Sequence, residues 1–249
     1  MRTSNPALNS KTFDRFGTQG DIAQGVMTVG GTVNKTAILL LIALATAFYV
    51  WRMFFISRNP GSVAPWMLVG AIGGLIVAIV TAFKKQWAPA TAPLYAALEG
   101  LFLGGISAFY EARYPGIVIQ AVALTFGTAF ALLMAYKSRL IRATENFKLG
   151  VVAATGGIFL LYLASMVLGF FGISIGFIHN SGPLGIIFSI VVVVIAALNL
   201  VLDFDFIEHG AEQGAPKFME WYGAFGLMVT LVWLYLEILR LLGKLRSRR

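Results

Sequence analysis

Along this chain, long apolar runs alternate with short polar joints, and the runs set the elements. Seven stand out, at about 33–51, 65–83, 89–110, 117–136, 149–172, 184–207 and 221–242. Each has the length at which a helix rising 1.5 Å per residue crosses roughly 30 Å of hydrocarbon. A membrane barrel would instead show period-2 alternation, and none appears. The joint "KKQWA" between the second and third spans is so short that they must be antiparallel neighbours. Residues 1–30 read as a flexible polar tail without the apolar core of a cleavable signal peptide. Residues 31–243 read as the transmembrane domain and 244–249 as a basic tail. The expected class is all-α, a polytopic protein of seven transmembrane helices.

Composition strengthens this. Of 249 residues, 58% are hydrophobic and 12% charged, with a mean hydropathy of +0.81; soluble domains carry about 25% charged residues. Trp51, Trp66, Trp87 and Trp221 lie at span edges, where amphipathic rings favour the interface, and only Trp233 lies inside a run. Gly70–Gly74 and Gly100–Gly104 have the spacing that lets helices approach closely, although glycine is also common in membrane helices generally.

The net charge of +8 would suggest nucleic acid in a soluble protein. Here the bases sit mostly in joints and tails, so lipid and the positive-inside effect explain them, and no nucleic-acid partner is expected. With seven crossings, the N-terminal side carries Arg2, Lys11, Arg15, Lys35, Lys84, Lys85, Lys137, Arg139, Arg142, Lys148 and Lys217. The other side carries Arg52, Arg58, Arg113 and the tail "RLLGKLRSRR". The joints favour an N-terminus inside, whereas the basic tail leaves open whether the last segment crosses or re-enters. The expected location is the cell (plasma) membrane, as a multi-pass protein.

Enzyme chemistry finds little support. With no cysteine, disulfides, thiol catalysis and Cys-based metal sites are excluded. His179 and His209 form no HExxH, and no nucleophile elbow or phosphate loop is present. The GxGD-type context of an intramembrane aspartyl protease is missing. Neither an enzyme nor a bound cofactor is expected.

The acids carry the information. Among eleven Asp and Glu, Glu99, Asp203, Asp205, Glu208, Glu212, Glu220 and Glu237 lie in or beside apolar spans. A carboxylate at mid-span costs about 2.5–3.5 kcal/mol on insertion scales, and such residues usually mark a proton or ion path. Glu99 sits mid-span, either lining a path or bonding a neighbouring helix. Glu237 precedes Arg240 at i+3, which permits a simple interfacial ion pair. Asp203 and Asp205 point about 200° apart on an ideal helix. Asp205, Glu208 and Glu212 share a stripe, read either as a solvated helix end or as an acidic mouth.

"APLYAALEGLFLGGIS", "LNLVLDFDFIEHG" and "EWYGAFGLMVTLVWLYLEILRLL" together resemble the Bax inhibitor-1/YccA, or transmembrane Bax inhibitor motif, family. The likeness covers most of the chain after residue 30. It implies seven helices with the last one central, wrapped by the other six, and a pH-sensitive calcium leak. It places a sixth-helix acid on Asp203 through "DFDFI" and its seventh-helix partner on Glu237 through "LYLE", where the family usually has Asp. It places a third acid on Glu99. On this reading Asp203 and Glu237 form a proton-sharing latch and offer calcium ligands, while Glu99, Asp205 and Glu208 line the ion pathway. Two close carboxylates cannot both ionise easily, so loss of the shared proton would drive the helices apart. Calcium and protons are then the passengers, and calcium favours oxygen ligands. The rivals are a proton-coupled transporter and a non-conducting regulator that binds another membrane protein, such as a protease. One geometric condition accompanies the latch. With a turn at 214–216, Asp203 would lie about 16 Å from it and Glu237 about 32 Å, so equal depth needs a turn centred near 220.

Overall fold

The computed structural model describes residues 25–57, 59–172, 176 and 180–248. Arg2, Lys11, Asp14, Arg15, Asp21, Arg58 and His179 lie outside the described residues. Among the described residues seven long helices follow one another: α1 (Val29–Ser57), α2 (Ala64–Phe83), α3 (Ala88–Arg113), α4 (Ile117–Lys137), α5 (Glu145–Phe170), α6 (Pro183–Glu212) and α7 (Met219–Ser247). All seven are long and apolar enough to span a membrane. Most outrun their apolar cores, because a helix can continue through the interface once its polar residues reach water. The punctuation is local. Proline occupies the first turn of α2, α3 and α6, where its missing N–H costs nothing. Thr144 caps α5, accepting from the Phe147 N–H at 3.3 Å. Glu111 reaches across the α3–α4 turn to accept from the N–H groups of Gly116 (2.6 Å) and Val118 (3.1 Å), so it caps α4.

The last helix is the centre. In its most apolar stretch 56% of α7 is buried within the protein, against 11% for α5 and 17% for α2 and α4. Helices α1, α3, α4 and α6 lie against α7, whereas α2 packs chiefly on α3 and α5 chiefly on α6. The ring of six expected around the last helix is therefore a ring of four with two outriggers. Both glycine pairs are packing devices. A Cβ on Gly104 would lie 2.7 Å from Ala47 Cα, and one on Gly100 would lie 2.9 Å from the Ala43 carbonyl carbon, so α1 and α3 touch backbone to backbone. A Cβ on Gly70 would meet Phe102 N at 2.7 Å, which places α2 equally tightly on α3.

The two ends of α7 reach opposite faces of the bundle. Its start is gathered with the N-terminal segment. Met27 N–H donates to the Ala215 carbonyl (2.7 Å) and Lys217 N–H to that of Gly25 (3.1 Å). Its far end meets the other side, where Ser247 Oγ bonds Ser181 Oγ at 2.6 Å and Arg246 Nη1 donates to the Pro115 carbonyl at 3.4 Å. The last segment thus crosses in full. Lys244, read from sequence as the start of a basic tail, is helical and buried.

Glu220 fastens the first of these ends. It is fully buried, and its carboxylate accepts from the Thr28 N–H and hydroxyl (2.9 Å each), from Lys217 (2.8 Å) and from Lys35. Glu220→Ala strands Lys35 and the Thr28 N–H. A cost of about 2 kcal/mol is expected, below the usual 3–5 for a broken buried pair because both lysines retain some access to water. Lys217→Ala should change stability by under about 0.5 kcal/mol, since its side chain is 46% exposed. Detergent unfolding curves that rank the two variants the other way would contradict this assignment.

Candidate functional site

The α6–α7 turn, with Gly214 at φ +67°, sits at 213–218 and fixes the register of the two antiparallel helices. Two contacts report that register independently. Thr230 on α7 faces the side chain of Asp203 on α6, within reach of it. Lys244 Nζ donates to Ser189 Oγ at 2.9 Å. Fourteen residues separate Asp203 from Ser189, and fourteen separate Thr230 from Lys244. Glu237 therefore falls midway, opposite Ala196, seven residues or about 10 Å from the level of Asp203. The structure does not bring Asp203 and Glu237 together. The turn lies where the spacing argument separated them, not near 220.

Each acid instead has its own surroundings. Asp203 is 1% exposed, and its Oδ2 has no hydrogen-bond partner among the described residues. Thr230 Oγ1 beside it donates to the Gly226 carbonyl of its own helix at 3.3 Å. Glu237 accepts from Tyr162 Oη of α5 (3.1 Å) and from Arg240 Nη1 (3.2 and 3.3 Å), while Arg240 Nη1 also donates to Tyr162 Oη at 2.7 Å. The i,i+3 ion pair is present, and α5 closes it into a triad.

Asp205 faces the opposite way from Asp203, as the helical angle requires, and forms a salt bridge with buried Lys148 of α5 at 2.8 Å. His209 Nδ1 lies 3.4 Å from its other oxygen. Glu208 and Glu212 are exposed, with Glu208 accepting from the Tyr136 hydroxyl of α4. The acidic stripe is thus divided: its first member is locked inside the bundle because α5 begins there, and only the other two meet solvent. Glu99 faces α2, where a Cβ on Gly74 would lie 3.0 Å from its Oε2. It joins neither Asp203 nor Glu237. Among the described residues no three of Asp, Glu and His converge as a metal site. By the register above, Asp203 and Glu237, expected as a calcium-ligand pair, stand about two helical turns apart.

The polar residues do form a larger pattern, and it follows α5. Lys148, Thr155 and Tyr162 recur every seven residues and so share one face of that helix. Lys148 meets Asp205, Thr155 Oγ1 accepts from Asn199 Nδ2 at 2.8 Å, and Tyr162 meets Glu237. Beyond them Lys244 bonds Ser189 and the Gly185 carbonyl (3.0 Å). From Asp205 to Ser189 this file runs sixteen residues along α6, about 24 Å, most of the hydrocarbon thickness. The partners Lys148, Thr155 and Tyr162 could have been found by asking which outer helix carries a seven-residue polar repeat. Thr230 leaves no such mark.

A family model described as Bax inhibitor 1 like matches residues 5–247, nearly the whole chain. The chain belongs to that family. Comparisons with curated proteins and with solved structures return no match. Family membership and the seven apolar helices make this an integral, multi-pass membrane protein of the Bax inhibitor 1-like family.

Proposed function

We propose that the protein is a passive cation leak, with calcium as passenger, regulated by protonation of its intramembrane carboxylates. The observation that carries this reading is the file of polar side chains along the α5 face, from Lys148–Asp205 through Asn199 to Glu237 and Lys244. Polar groups are costly in hydrocarbon, and where they line up across a bundle they usually mark a path. Lys148 and Arg240 neutralise the two acids of the file, so the arrangement as it stands is closed to cations.

Asp203 lies off the file, on the α6–α7 seam, and suits the proton-sensing role. When neutral it can give its proton to Thr230 Oγ1, whose own proton is then left for Gly226. When ionised it presents an oxygen without a donor and a charge without a cation. Deprotonation therefore disfavours the closed seam, and the leak should rise as pH rises through the Asp203 transition. Asparagine imitates the neutral acid. Calcium entry into proteoliposomes, followed across a pH series, should be pH-dependent in the parent protein and uniformly low in Asp203→Asn. A variant whose pH profile overlays the parent's would remove Asp203 from the sensing role. Absence of flux in the parent at every pH would favour the non-conducting regulator.

A further inference from the structure

Where the file ends, at the face reached by the C-terminus, a cavity of about 700 Å³ opens between the last turns of α1, α3 and α7. Its volume is within the ordinary range of ligand sites, about 300–1,000 Å³. Three cationic side chains line it, Arg113, Arg240 and Lys244, and no carboxylate does. The guanidinium groups are under-used. Among the described residues, Arg113 makes one hydrogen bond, from Nε to Tyr114 Oη at 3.1 Å. Among those residues the hydrogen bonds of Arg240 leave from Nη1. Two planar forks with spare N–H groups at the rim of one concavity match the oxygens of a phosphate. The rest of the wall is mixed, with Ser181, Ser247, Tyr110 and Tyr114 beside an apolar side. Phe54 and Phe109 stack edge to face at 5.1 Å and also line the cavity, giving it an apolar side at the edge of the bundle.

We propose that this cavity binds a phosphate oxyanion carried on an apolar body, the headgroup of an anionic phospholipid. Arg113 and the outward side of Arg240 hold the phosphate, Tyr114 adds a hydroxyl, and Phe54 and Phe109 take the upper acyl chain. The site is independent of whether the protein conducts, because it requires only the cavity and its cations. Inorganic phosphate satisfies the same cations without using the apolar wall, so it is the alternative source.

The test is lipid retention by the purified full chain in detergent, read by native mass spectrometry with phosphatidylglycerol or phosphatidylcholine added. Phosphatidylglycerol should be retained roughly tenfold more strongly, the amount expected for one or two charge-assisted hydrogen bonds. Arg113→Gln should remove most of that preference. Arg139→Gln, an exposed base on the other face, should not. Selective retention that resists added inorganic phosphate identifies the lipid as the source, and displacement by millimolar phosphate identifies the free anion. Equal retention of the two lipids, or a preference that survives Arg113→Gln in protein of unchanged Tm, overturns the proposal.

Discussion

Gly104→Leu is expected to be the most damaging single change in the bundle, costing about 3 kcal/mol or more. Overpacking usually costs 1–3 kcal/mol because side chains and backbone must shift. Here the obstacle is the backbone of Ala47 itself, 2.7 Å from where a Cβ would begin, and α1 cannot yield without leaving α3 along its length. Gly127→Leu in α4 is the matched control, since a Cβ there meets nothing within 4 Å. Thermal unfolding in detergent should separate the two clearly, with the Gly127 variant close to the parent. Similar melting of both would mean that α1 and α3 do not approach as closely as described.

The second large effect concerns α5. Lys148 and Asp205 are both buried, their side chains 4% and 11% exposed. Breaking a buried pair by removing one partner typically costs 3–5 kcal/mol, while replacing both with apolar groups of similar size is often neutral. Lys148→Met should therefore lose about 3 kcal/mol, His209 being too distant and too exposed to compensate fully. Lys148→Met combined with Asp205→Leu should recover most of the loss. A double-mutant cycle measured by unfolding gives the coupling directly. If the double variant is as unstable as the two single losses added together, Lys148 and Asp205 act separately and the α5 attachment lies elsewhere.

Much of the bundle could be read in advance because bilayer thickness converts hydropathy into helix length. The seven runs became seven helices, and glycine spacing marked the two tightest seams. The helical angle also separated Asp203 from Asp205, which proved to face α7 and α5. Partner identity was harder to read. Register between α6 and α7 depends on where the chain turns, and a shift of a few residues in that turn moves Glu237 by two helical turns relative to Asp203. The arithmetic from Gly214–Pro216 separates the two acids, as the structure does, against the pairing suggested by resemblance, although the observed offset of about 10 Å is smaller than the roughly 16 Å it implies. Lys148 was counted among the bases of a joint, because charge alone does not reveal that a helix begins there and turns the lysine inward. Tyr162 carries no charge and is marked only by the seven-residue polar repeat of α5, while nothing in the sequence singles out Thr230.

The central helix is pinned at both faces of the membrane. Glu220 ties one end to Thr28, Lys35 and Lys217, and Lys244 ties the other to Ser189 and the Gly185 carbonyl. The two fastenings are 24 residues apart, roughly 36 Å. A rod clamped at both ends cannot work as a piston. Of the two outriggers, α5 buries the least, 11% of its most apolar stretch, and is fastened by a row of polar pegs, so a sideways displacement there disturbs the least apolar packing around a fixed axle.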